Sequence, residues 1–217
     1  MIRPSEWLLL ACTAPLIALL AFGQDTPQAI RFQRNWNKAK ALALEQSISG
    51  SKDLSDAERS RLVDALASQL RPSMSYQGIK SEKELRDATG QYRVEMIDLR
   101  GDSKETAFAV QGVGEYECSP TGNCGVQVFR PSEGRYSVVL QGTAQSVWIW
   151  PTQTNGFYDI VLGMHGSATS TGLKLYKFDG SRYHRMACYN ADFQYLGQDG
   201  EIHELENPRI TPCGQQH

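Results

Sequence analysis

One short cluster carries the residue types of nucleophilic catalysis: Met164-His165-Gly166-Ser167, with Asp159 upstream. A serine hydroxyl becomes a nucleophile when a base within hydrogen-bond reach takes its proton and a third group orients that base. His165 and Ser167 stand two residues apart, so on an extended segment they share a face. They follow a strand-like run and lie in a loop, where catalytic groups commonly sit. Against this, serine, threonine and glycine are what any turn contains. The sequence has no G-x-S-x-G, H-E-x-x-H or G-x-x-x-x-G-K-[ST] motif. No catalytic assignment follows. His165 and Ser167 stand as candidate binding residues, with a hydrolase as the alternative reading.

Trp148 and Trp150 alternate on one strand-like run and so share a face. With Tyr136, Tyr176 and Tyr183 they offer a surface for sugar rings or a partner protein; the competing reading is core packing. Arg135 and Arg182 each directly follow a turn, where they brace a hairpin or bind an anion.

The elements that must position these residues are mostly strands. Residues 155–189 read as strand, small-residue loop, strand, Asp179-Gly180 turn and strand. The pattern has an echo. Residues 125–130 match residues 172–177 in type, and Arg135-Tyr136 matches Arg182-Tyr183 at the same offset. Ala109-Val110-Gln111-Gly112 lies over Ile160-Val161-Leu162-Gly163 if the first copy has a longer loop. The expectation is two copies of one β-meander unit, each burying its apolar face against the other.

The run NGFYDIVLG followed by GLKLYKFDGSRY resembles the strand pattern of FG-GAP-like or VCBS-like repeats. That resemblance implies a β-repeat fold. In calcium-binding members the turn is rich in aspartate; here Thr152, Thr154 and Asn155 stand there, and Asp159 is the carboxylate. Residues 111–189 also resemble a family of secreted bacterial proteins with an SPTGNC segment and an HGSA segment, which implies export and no particular activity. Ser181 and Tyr183 loosely resemble the serine-and-tyrosine loop of some small periplasmic inhibitors of cell-wall hydrolases.

Residues 1–23 read as a signal peptide: Arg3 in a polar start, an apolar run, and Ala21-Phe22-Gly23 before cleavage at Gln24. A lipobox at Cys12 and an uncleaved anchor are the alternatives. Cleavage removes Cys12 and leaves Cys118, Cys124, Cys188 and Cys213. An even count in an exported chain points to disulfides. Four cysteines allow three pairings. Cys118 and Cys124 flank a turn-forming set, which leaves Cys188 to tie the last repeat strand to Cys213. The spacing is not that of a zinc site, and no metal or cofactor is expected. The formal charge is −2, and cleavage removes one residue of each sign, Arg3 and Glu6. No basic stripe occurs, which argues against nucleic acid as a partner.

Residues 28–49 read as one helix, with Phe32, Trp36, Ala39 and Ala43 on one face. A second helix opens at the Ser55/Glu58 capping box and ends at Arg71-Pro72. The expected fold is α+β: an N-terminal helix pair, then a disulfide-stabilised antiparallel β-meander with two similar units. The division is residues 1–23 signal, 24–72 helical, 73–90 linker with a short helix, and 91–217 β domain. The expected function is an exported, non-enzymatic binding module, periplasmic or secreted, with no membrane span after cleavage. Its partner would be an envelope protein or glycan, contacted through residues 119–123 and 165–171. An inhibitor of a cell-wall hydrolase is a narrower version.

Overall fold

The computed structural model describes residues 27–75, 78–167 and 169–214. The expected signal segment and its cleavage site lie outside them. Three helices, α1 (Pro27–Asn35), α2 (Asp56–Leu70) and α3 (Glu82–Gly90), accompany eleven strands among the described residues. The short strands β1 (Lys40–Ala41) and β2 (Gln46–Ser47) come first. The main series is β3 (Arg93–Ile97), β4 (Ala107–Gln111), β5 (Cys124–Ser132), β6 (Arg135–Ala144), β7 (Ser146–Thr154), β8 (Phe157–His165), β9 (Ser170–Phe178), β10 (Tyr183–Leu196) and β11 (Ile202–Pro212).

The strands form two antiparallel sheets, β1-β7-β8-β9-β10-β11 and β2-β3-β4-β5-β6. Each is a meander of sequential neighbours, apart from the two short strands that close one edge of each. Gln145 alone separates β6 from β7, so the chain crosses from one sheet to the other at that corner. Asn155-Gly156 makes the β7–β8 turn with both residues at positive φ, as a two-residue hairpin loop requires. Disulfides join Cys118 to Cys124 and Cys188 to Cys213.

The core has three layers. Between the sheets lie Ala109, Val126, Val128, Leu140, Ile160, Leu162 and Phe178, with Leu44 among them. Outside the five-stranded sheet, Phe108, Val110 and Phe129 pack under Leu62 and Leu66 of α2. Outside the six-stranded sheet, Trp150, Val161, Leu173 and Leu175 pack under Ala29 and Phe32 of α1. The helices therefore cover opposite faces of a sandwich and do not form the expected pair. The capping box of α2 is formed: the Glu58 N–H donates to Ser55 Oγ (3.3 Å), and the Ser55 N–H donates to the Glu58 carboxylate (2.9 Å).

The long helix expected over residues 28–49 stops at Asn35. A 3-10 turn, Trp36–Lys38, follows, and Ala39 is extended. Trp36 and Ala39 still pack on the outer face of the six-stranded sheet, as the periodicity requires. The backbone beyond them instead pairs with the edge of β7, where Lys40 and Ala41 face Ile149 and Trp148. An edge strand carries a full row of unmet donors and acceptors, and satisfying them outweighs helix propensity.

The two similar hairpins share one pairing register. Phe129 faces Val138 and Val128 faces Leu140, leaving Val139 as a bulge. Tyr176 faces Arg185 and Leu175 faces Ala187, leaving Met186 as the bulge at the equivalent place. The preceding strands are not equivalent. Ala109 faces Val128, whereas Ile160 faces Tyr176, one residue beyond the counterpart of Val128. A slip of one residue turns every side chain to the other face. Val126 and Val128 consequently enter the inter-sheet core, while Leu173 and Leu175 lie outside it under α1. Two copies burying the same face against each other is not the packing that results.

Phe32 fixes α1 to its sheet, with its ring 4.2 Å from those of both Trp150 and Tyr189. Phe32→Ala is expected to lower unfolding free energy by about 3–5 kcal/mol, measured in urea. Ile30→Ala, on the exposed side of the same helix, should change it by less than about 0.5 kcal/mol.

Candidate functional site

The two loops singled out in the sequence meet at one end of the sandwich. The loop between β4 and β5 is closed at its base by the Cys118–Cys124 disulfide. Within it, the Ser119 N–H donates to the Asn123 carbonyl (2.8 Å), and the Asn123 N–H donates to Ser119 Oγ (3.2 Å). This tight turn carries the Asn123 side chain inward, where it is 8% exposed. There it reaches the other sheet. The His165 N–H donates to Asn123 Oδ1 (2.7 Å), and Asn123 Nδ2 donates to the His165 carbonyl (3.3 Å). Behind this contact, Gln111 Nε2 donates to the Ala144 carbonyl (3.0 Å) at the sheet-to-sheet corner. Exposed Ser119, Pro120, Thr121 and Gly122 thus sit beside exposed Gly166 and Ser167 on one composite surface.

Ser167 is part of a turn. The Ser170 N–H donates to its Oγ (3.2 Å), and its own N–H donates to the Ser170 carbonyl (3.0 Å). Among the described residues, no hydrogen bond joins His165 to Ser167. Asp159 is six residues from His165 along the same strand, about 20 Å away at ~3.3 Å per residue. It is fully buried and accepts from Thr152 Oγ1 (2.5 Å) and Thr154 Oγ1 (2.7 Å), with Lys177 Nζ at 3.6 Å. The three groups of the hydrolase reading are not brought together. The threonines at the turn positions of the FG-GAP-like pattern bond to Asp159. No group of three or more metal-binding side chains occurs among the described residues.

The aromatics divide between layers and do not form one binding face. Trp150 is buried against Phe32, and Trp148 is half-buried against Trp36 (5.4 Å between ring centroids). Gly163 lies under the Trp148 ring; a Cβ there would come within 2.4 Å of it. Tyr136 packs edge-on to Phe108 near α2, while Tyr183 is buried in the inter-sheet core. The Tyr183 hydroxyl donates to the Tyr158 carbonyl (2.8 Å), and burial pushes its phenol pKa up, so it presents no polar group outward.

Arg135, which opens β6, and Arg182, in the β9–β10 turn, are both exposed and belong to different sheets. The turn at Arg182 is held by Asp179, whose carboxylate accepts from the N–H groups of Arg182 (2.9 Å) and Ser181 (2.7 Å). These donors hold the Asp179 carboxyl well below the usual carboxylate range. The turn is thus fixed through backbone groups, and the Arg182 guanidinium takes no part in that bracing.

Asn123 is the residue that sequence reasoning undervalued. Its type marked a turn, but its partner lies 42 positions away and no local signal connects them. Asn123→Ala would leave both backbone groups of His165 without that partner, lowering unfolding free energy by about 1–3 kcal/mol. Amide exchange at His165 should accelerate while exchange in the centre of β8 stays slow, which hydrogen-exchange NMR would read.

No protein-family model, curated protein or solved structure matches the chain.

Proposed function

We propose that this protein is an exported, non-enzymatic binding module that contacts an envelope protein or glycan through the loop end around Asn123. The observation that carries the reading is the two-way bond between Asn123 and the His165 backbone. Together with the Cys118–Cys124 disulfide it ties exposed loops from two sheets into one preformed surface. Ordering loops in advance removes part of the entropy that binding would otherwise oppose. The two disulfides fit an oxidising compartment. Among the described residues no helix is long and apolar enough to cross a membrane. The hydrolase alternative draws no support from the site, because Ser167 Oγ is engaged by Ser170 and Asp159 is remote.

The test is retention of envelope proteins and of purified peptidoglycan on the immobilised, disulfide-bonded protein. The Pro120→Arg/Ser167→Arg variant, which places charge on both exposed loops, serves as the comparison. Loss of a stoichiometric ligand by about tenfold or more in the variant, with an unchanged unfolding midpoint, supports the reading. Equal retention by both proteins removes the loop end as the contact surface, and retention of nothing by either removes the reading.

A further inference from the structure

A concave site lies away from the joined loops, on the outer face of the six-stranded sheet beside α1. Gln28, Arg31, Phe32 and Asn35 repeat at helical spacing, so one face of α1 makes one wall. Thr152, Lys177 and Met186 stand on the sheet side, around a cavity of about 290 Å³. Its depth is apolar, formed by Phe32, Trp150 and Leu175.

Three features give this cleft a chemistry. The first is charge: none of the lining residues is acidic. Lys177 is countered by buried Asp159 at 3.6 Å, which also holds the Thr152 hydroxyl. Arg31 is exposed and has no hydrogen-bond or ion-pair partner among the described residues. One positive charge is therefore left over at the mouth of an apolar space. The second is the placement of that charge, on a regular helix held down by Phe32 between Trp150 and Tyr189. The third is Met186. It is the bulge residue of β10, is 64% exposed, and lines the cleft. Its counterpart in the other hairpin, Val139, is 6% exposed in the core. A bulge re-aims a side chain, and here it leaves a flexible, polarisable thioether where an apolar ligand would lie.

We propose that the cleft binds a small organic monoanion with an apolar body, a medium-chain carboxylate in particular. The Arg31 guanidinium takes the carboxylate in a charge-assisted, two-point contact, with the Lys177 ammonium beside it. The apolar body lies against Met186 and Leu175, over the edge of Trp150. The site is separate from the loop end and does not rest on the reading given for it.

Octanoate and octanol test this, since they share a tail and differ in charge. Tryptophan emission reports binding because Trp150 lines the cleft. Octanoate should bind the disulfide-bonded protein saturably, one per chain, and at least about tenfold more tightly than octanol. Arg31→Gln should weaken octanoate by about tenfold and leave octanol unchanged, without shifting the urea midpoint. Met186→Ser should weaken both ligands. The Pro120→Arg/Ser167→Arg variant should bind octanoate normally, which separates this site from the loop end. Equal binding of the two ligands, an Arg31→Gln effect within about twofold, or no saturable octanoate binding would overturn the proposal.

Discussion

Both sheets are apolar on both faces, and the arrangement of the rest of the chain follows from covering them. An antiparallel sheet commonly leaves one face to water. Here Ala109 and Val128 point into the sandwich while Phe108, Val110 and Phe129 point out of it. The other sheet does the same with Ile160 and Leu162 against Val161, Leu173 and Leu175. Each large side chain removed from water contributes about 1.5–3 kcal/mol, so leaving either outer face bare would forfeit a large part of the stability. Helices of nine and fifteen residues are marginal alone in water, and they persist because each has such a face to cover. The two inner faces cover each other, and the two outer faces cannot both be served by helices packed on each other. The helices must part, one to each side.

Parting them requires a connection that crosses the edge of the sandwich, and residues 36–48 supply it. Trp36 and Ala39 lie on the outer face of the six-stranded sheet, Leu42 and Leu44 reach the inter-sheet core, and Ile48 enters the layer under α2. On the way β1 pairs with β7 and β2 pairs with β3. The segment thus contributes to all three apolar layers and meets the backbone needs of one edge of each sheet. A helix through the same residues would satisfy its own backbone but would leave those two edges open.

Much of this was legible locally. The capping box of α2, the Asn155-Gly156 turn and the Cys118–Cys124 disulfide are all set by residues close in sequence. Among the described cysteines, pairing Cys118 with Cys124 leaves Cys188 and Cys213, which the second disulfide joins. Two of the departures share one cause, namely which face a strand shows; the long helix over residues 28–49 is lost for another, the open edge of β7. The resemblance between the two hairpins is real in register, yet a one-residue slip against the preceding strand sends Leu173 and Leu175 to the opposite side from Val126 and Val128. Composition is almost blind to such a slip when both faces are apolar. The same ambiguity made Trp148 and Trp150 look available for a ligand, although α1 and the turn after it largely cover them.

Strand β8 connects the two proposed sites and explains why its polar residues do not combine into catalysis. It carries Asp159 near one end and His165 at the other, and pairing with β7 and β9 holds it extended. An extended strand keeps residues six apart at about 20 Å, well beyond the few ångströms that proton transfer allows. The strand instead divides its polar groups between two places. Asp159 orders Thr152 and Lys177 beside the α1 cleft, and the His165 backbone receives Asn123 at the loop end. Effects at sites this far apart with no shared partner generally add, to within about 0.5 kcal/mol. Substitutions at the cleft and at the loop end should therefore act independently of one another on one stiff scaffold.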